Sequence, residues 1–301
     1  MPLFFIVSGY LFAHKREWKS SMRSYIKKRA FSLLYPYFTL SILYIIWHFL
    51  YYRAFFVQAE PNEGITSVVL QTFSLYGYFA MWFLPCLFGG LVVFNFLRRY
   101  SLHNIVCPCL SVLVLFIKYF PFQSSTVTFV FRIIVGIVFI YFGYLFFYLF
   151  KQKKVVIVIM SCFGMMITVC SFVIPIFLPN LFPKVNIAGK SIGNVFAFYP
   201  FALSNCWLII IVCKHLLQNS IIFNRFFAFW GKNSLIVLSM HMGVSIELAY
   251  ILISKVPIQL NVTLQSVFAI IIEMIILFLI ILFINRFLKS LIVFPNAKSN
   301  R

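Results

Sequence analysis

Apolar runs separated by polar or charged breaks cover the chain, at residues 1–13, 31–52, 75–97, 105–120, 127–150, 155–178, 196–217, 234–254 and 262–284. A helix needs about 20 residues to cross a bilayer, and all of these runs but the first are read as crossings of that kind. The pattern predicts an all-α fold: a polytopic transmembrane helical bundle of about nine spans, forming a single membrane-embedded domain over residues 1–301. Between the first two runs lies a loop with seven basic residues (Lys15, Arg16, Lys19, Arg23, Lys27, Lys28 and Arg29) and one acid, Glu17.

Composition strengthens this reading. Hydrophobic residues make up 63% of the chain, charged residues 10%, and the mean hydropathy is +1.01, so too little polar surface exists to cover a soluble fold. The formal charge of +20 would suit a nucleic-acid binder in a soluble chain. Here the cations sit in short loops between apolar runs, where topology already calls for them, and no nucleic-acid partner is expected. Seven cysteines are scattered, and Cys107 and Cys109 flank Pro108 with no second ligand pair nearby, so neither a disulfide framework nor a zinc site is expected. The first residues lack the charged leading region and small-residue cleavage site of a signal peptide.

Loop charge sets the expected topology. If the first basic loop is cytoplasmic, so are Arg98 and Arg99, then Lys151, Lys153 and Lys154, then the segment with Lys214, Arg225 and Lys232, and finally the tail with Arg286, Lys289, Lys298 and Arg301. That places 19 of the 25 Lys and Arg on one side, as the positive-inside rule requires. The C-terminus is then cytoplasmic, the exterior carries Glu60 and Glu63, and Met1 lies outside on a helix roughly 20 Å long at 1.5 Å per residue. A preceding hairpin helix is therefore expected, making the chain a truncated or internally started product. The other reading is a tilted or half-inserted first segment that thins the bilayer locally.

Four stretches carry a resemblance: PLFFIVSGYLF (Pro2 to Phe12), YIKKRAFSLLYPY (Tyr25 to Tyr37), MWFLPCLF (Met81 to Phe88) and GKNSLIVLSMH (Gly231 to His241). In order and spacing they resemble the landmarks of the acyltransferase-3 family of integral membrane O-acyltransferases, which includes enzymes similar to fucose 4-O-acetylase. The resemblance implies about ten helices in an intact member. It also implies transfer of an acetyl or other acyl group from cytoplasmic acyl-CoA to a hydroxyl of a cell-surface glycan or glycolipid. Acetyl-CoA or another acyl-CoA would be a co-substrate, with no cofactor bound permanently. The other partners would be membrane lipid and a glycan or lipid-linked sugar acceptor, in a cell membrane of the bacterial inner-membrane kind. The family's essential histidine lies in the first helix ahead of the PLFF segment, and this chain has no such position. Two rival readings are a transporter or flippase for a lipid-linked sugar, and a catalytically inactive fragment.

Acyl transfer to a hydroxyl needs a base for the proton and a cationic or hydrogen-bonding group for the developing oxyanion. Ionisable side chains are expensive inside a bilayer, so Arg132, His241, Glu247 and Glu273, with His48 near an outer end, are the first candidates. Ser234, His241 and Ser245 fall on one helical face, and His241 is read as the catalytic base or as a histidine that simply bonds across helices. Glu247, about 240° further round, cannot share that face. Arg132 is read as an oxyanion or glycan contact, or as an arginine snorkelling to the headgroups. Glu273 is read as pocket-lining, paired with Arg132 or held neutral by burial. Lys27, Lys28 and Arg29 are read as donor-binding cations for the phosphates of coenzyme A, or as topology signal with lipid contact; the family pattern favours Arg29. Trp82 and Phe83 precede Pro85, which is expected to kink the third span and open a pocket, with an interfacial aromatic belt as the alternative. Gly136 and Gly143 predict a close helix contact.

Overall fold

A computed structural model describes residues 1–55, 65–77, 79–116, 125–152, 154–177, 187, 195–254 and 262–288. Glu60 and Glu63, expected on the exterior, the cation Lys153 and the tail cations beyond Leu288 lie outside them. Every regular element among the described residues is helical: α1 (Pro2–His14), α2 (Met22–Arg29), α3 (Tyr35–Phe55), α4 (Ile65–Phe73), α5 (Phe83–Arg99), α6 (His103–Phe116), α7 (Ser125–Leu149), α8 (Lys154–Phe177), α9 (Val195–Asn219), α10 (Ile221–Lys232), α11 (Ser234–Met240), α12 (Ile246–Ser254) and α13 (Val262–Phe283). Among the described residues, six helical stretches are long and apolar enough to cross a bilayer: Met22–Leu50, Ala80–Arg99, Ser125–Leu149, Val155–Ile174, Ala197–Leu216 and Gln265–Leu288. The shorter apolar helices α1 and α6 have 13 and 14 residues, and the run 234–254 is helical throughout in two α segments joined by a π turn.

Three boundaries differ from the sequence expectation. The basic stretch after α1, read as a loop, is largely helical, because no helix breaker stands between Met22 and Tyr35. Pro36 is accommodated by a π turn, Ala30–Leu34, where the Tyr35 N–H reaches back five residues to the Ala30 carbonyl. That widening relieves the clash a proline ring makes with the carbonyl four residues earlier. The third span begins later than residue 75, after a tight turn in which Gly77 has φ +73°. A Cβ at Gly77 would run into the Trp82 backbone, so only glycine lets the chain double back there. Pro85 is therefore no mid-span kink: it is the third residue of α5, where its missing N–H costs little. Finally, the segment between α9 and α11 is a helix, α10, rather than a loop.

The chain gathers into two compact units, residues 1–27 with 86–224, and residues 28–85 with 225–301. In the first, α1 packs along α7, α6 lies on α7, and α8 on α9. The α1–α7 crossing is closer than side chains allow: a Cβ at Gly143 would overlap the Ile6 carbonyl, and one at Gly9 the Ile140 carbonyl. Gly136 makes room for the Phe5 ring in the same interface. Small residues permit this approach, which supplies the van der Waals contact that holds helices together in lipid. At one end of the unit the Arg98 guanidinium lies 4.9 Å over the Trp18 ring and 5.7 Å over Tyr144. Arg99 donates to the Ser20 carbonyl and to Asn95 Oδ1, so both arginines at the end of α5 tie down the basic stretch after α1. On α8, Trp207 of α9 donates to Ser161 at 3.3 Å and Asn205 to Ser171 at 3.2 Å.

In the second unit α3 packs on α4, α11 and the π turn after α11, and α13 packs on α11 and α12. The Tyr37 hydroxyl donates to the Thr72 carbonyl at 2.8 Å, fixing α4 on α3. Along α13 and the π turn that follows it, Ile284–Leu288, the side chains at 277, 281 and 284 are buried, while Ile271, Met274, Ile275, Phe278, Leu279, Leu282 and Phe283 are exposed. With 3.6 residues per turn, the buried stripe extended one turn back reaches Glu273. From Val267 to Phe283 the helix is apolar all round apart from Glu273, which lies on its inward face.

Candidate active site

His241 opens a π turn, His241–Ser245, between α11 and α12, closed by the Ile246 N–H bonding the His241 carbonyl five residues back. Single π turns inside helices are frequent at functional positions because they re-aim side chains. Here the turn sits against α13, and His241 Nδ1 hydrogen-bonds Glu273 Oε1. The Ser245 hydroxyl lies 2.8 Å from the His241 carbonyl oxygen and 3.3 Å from Glu273 Oε1. Its single proton can serve one of these at a time, so the serine is a partner of both the turn and the carboxylate.

With the carboxylate accepting from Nδ1–H, the imidazole is held in the tautomer whose Nε2 carries the lone pair. Nε2 has no hydrogen-bond partner among the described residues, and the ring is 45% exposed while Glu273 is 16% exposed. The arrangement is therefore an oriented base, anchored on its buried side and open on the other. Such a pair can take a proton at Nε2 and stabilise the resulting imidazolium through Glu273.

The remaining candidates fall in different places. Glu273, for which the sequence left two readings open, has His241 and Ser245 as its partners. Ser234 begins α11, seven residues before His241 and about 10 Å along the axis, and it does not join the pair. Next to it, Asn285 donates to Asn233 Oδ1 at 2.8 Å, a second polar rung between the α11 end and the helix that carries Glu273. Trp82 is 5% exposed within the turn Phe79–Trp82. That turn touches α11 and the π turn that His241 opens. Glu247 has a different partner: its Oε2 accepts from Trp47 Nε1–H at 3.4 Å.

Arg132 belongs to the first unit. It is 3% exposed on α7, beside Thr128, Phe131, Val135 and Gly136 on the buried side of that helix, so it does not snorkel to the headgroups. Lys27 and Lys28 are exposed at the end of α2. Arg29 is half-buried at the start of the Ala30–Leu34 turn, and the Ser32 hydroxyl caps its carbonyl at 3.2 Å.

Sequence reasoning missed a polar stripe on α3. Tyr37, Ser41, Tyr44 and His48 are all buried, spaced by four, three and four residues, and His48 stacks on Tyr44 with ring centroids 5.8 Å apart. The signal was available, since four polar-headed residues at helical spacing in a membrane span share one inward face.

Residues 1–285 match the family model described as an acyltransferase domain, Acyl_transf_3. The chain belongs to the acyltransferase-3 family. No curated protein and no solved structure matches it. As an acyltransferase-3 protein with six long apolar helices among its described residues, it is a multi-pass membrane protein of the acyltransferase class.

Proposed function

We propose that this acyltransferase-3 protein moves an acetyl or other acyl group from cytoplasmic acyl-CoA to a hydroxyl of a cell-surface glycan or glycolipid, with His241 as the base. The observation that carries the reading is the His241–Glu273 pair, an ionisable dyad kept in the middle of membrane helices with one imidazole nitrogen open. Keeping such groups in a bilayer is costly, and chemistry is the common reason.

In the proposed reaction the acceptor hydroxyl gives its proton to Nε2 as its oxygen attacks the thioester carbonyl. The C–O bond forms, the C–S bond breaks, and the coenzyme A thiolate leaves with the proton returned from the imidazolium. Glu273 holds the ring and stabilises its transient charge, and Ser245 fixes the carboxylate. Arg29, with Lys28 and Lys27 beside it in the chain, is proposed to bind the phosphates of the donor on the cytoplasmic side; an arginine fork suits phosphate oxygens. Trp82, in the turn that touches α11 and the π turn, is proposed to line the substrate pocket. Arg132, buried on α7, is proposed as a contact for the glycan.

The test is transfer of label from radiolabelled acetyl-CoA to surface glycan in membranes carrying the chain or its His241→Ala variant. Label with the first and loss with the second is the expected result. No transfer by folded, membrane-inserted wild-type chain defeats the acyltransferase reading, and equal transfer by both defeats the role of His241.

A further inference from the structure

The helix α10 has a division of side chains that the reaction does not use. At 100° per residue, Phe229, Ile222, Phe226, Trp230, Phe223 and Phe227 fall within an arc of about 160°. Asn224, Arg225 and Lys232 share the opposite side, with Ala228, Gly231 and Ile221 among them. Much of the apolar side is exposed: Ile222 is 80% exposed, Phe223 and Phe226 are each 49% exposed and Phe227 41%. The helix follows α9 after a single residue and precedes α11 after a single residue, so it is tethered to membrane helices at both ends. Its Phe229 ring meets Phe278 of α13 at 5.5 Å. Phe278 is itself 43% exposed, on the lipid-facing side of a spanning helix. The apolar face of α10 therefore continues a surface that hydrocarbon already covers.

We propose that α10 is an interfacial helix seated on an anionic phospholipid leaflet, with its aromatic face in the outer part of the acyl chains and Arg225 and Lys232 among the headgroup phosphates. Aromatic and branched residues on one face with basic residues on the other are the composition that binds a membrane surface in this way. The occupant is lipid rather than a protein partner because the face is contiguous with the lipid-facing side of α13 and carries its cations on the opposite side. In the positive-inside arrangement these cations face the leaflet that holds the anionic lipids. The short connection to α11 would then set the depth at which the helix bearing His241 begins.

Photocrosslinking of the full chain tests this, with p-benzoylphenylalanine placed at Ile222 or at Phe226 and the protein reconstituted in nanodiscs of equimolar phosphatidylcholine and phosphatidylglycerol. Ile222 is 80% exposed and Phe226 49% exposed, and the second position serves if the first disturbs folding. Adducts with phospholipid are expected at both sites and few at Asn224 on the opposite face. Phosphatidylglycerol adducts should exceed phosphatidylcholine adducts by up to about fivefold per basic residue, falling toward parity in the Arg225→Gln, Lys232→Gln double variant. Adducts with a second copy of the chain, or none, would overturn the assignment. Equal capture of the two lipids by the wild-type cations would overturn its headgroup half.

Discussion

Replacing Glu273 by glutamine keeps the shape of the side chain and an oxygen that can accept from Nδ1–H, and removes one negative charge. In the wild type that charge faces the imidazole as Nε2 takes the acceptor proton. Two unit charges about 4 Å apart at an effective dielectric of 20 attract by about 4 kcal/mol, an upper bound for the loss. A hydrogen bond to a charged group contributes about 1.5–3 kcal/mol in measured series, the closer guide for a partly exposed pair. At about 1.4 kcal/mol per tenfold in rate, kcat should fall about 10- to 100-fold while KM for the acyl donor holds. Rotation of the amide so that its NH2 faces Nδ1 would put the proton on Nε2 and deepen the loss. The assay is steady-state acyl transfer by the reconstituted protein over a range of acyl-donor concentrations, run for Glu273→Gln, His241→Ala and the double variant. A pair acting as one unit makes the double variant no slower than His241→Ala alone. A folded Glu273→Gln protein with unchanged kcat, or a double variant whose losses multiply, would refute the dyad.

Gly143→Ala puts a methyl group into the Ile6 carbonyl, so it should cost about 1–3 kcal/mol and lower the unfolding temperature in detergent; an unchanged Tm would contradict the α1–α7 contact. Arg29→Gln should raise KM for acyl-CoA with kcat retained, and the effect should shrink as ionic strength rises; an unchanged KM would remove Arg29 from donor binding. Asn285→Ala removes the 2.8 Å bond to Asn233 and should cost about 0.5–1.5 kcal/mol, read as a lower melting temperature. An equal melting temperature would show that this rung does not hold α13 to α11.

The bundle was legible because its cause is local. A run of apolar residues long enough to cross hydrocarbon must satisfy its own backbone groups, and the helix does so within the segment. Hence the runs 127–150, 155–178, 196–217 and 262–284 correspond closely to α7, α8, α9 and α13. The glycines of α7 were legible for a similar reason, since small residues on one face of a span mark close approach. Boundaries failed where a local rule met an alternative it did not weigh: Pro36 was absorbed by a π turn, Pro85 fell in a first turn, and α10 was hidden by the charges that marked its segment as a loop.

The candidate site divides along the same line. His241, Glu273 and Arg132 stood out singly in the sequence because ionisable groups in apolar runs are costly wherever they point. Their partners did not, because pairing depends on which helices are neighbours and in what register. From Val267 to Phe283 α13 is apolar on every side apart from Glu273, so no periodicity announces its inward face; burial at Leu277, Ile281 and Ile284 does so, and places Glu273 toward the π turn. That turn re-aims His241 and is itself invisible in a run of helix-forming residues. Composition and charge thus determined the class, the helices and the costly residues by themselves. Only the packing of α11, α12 and α13 decided that His241 and Glu273 meet, since 32 residues separate them in the chain and no rule of local spacing reaches that far.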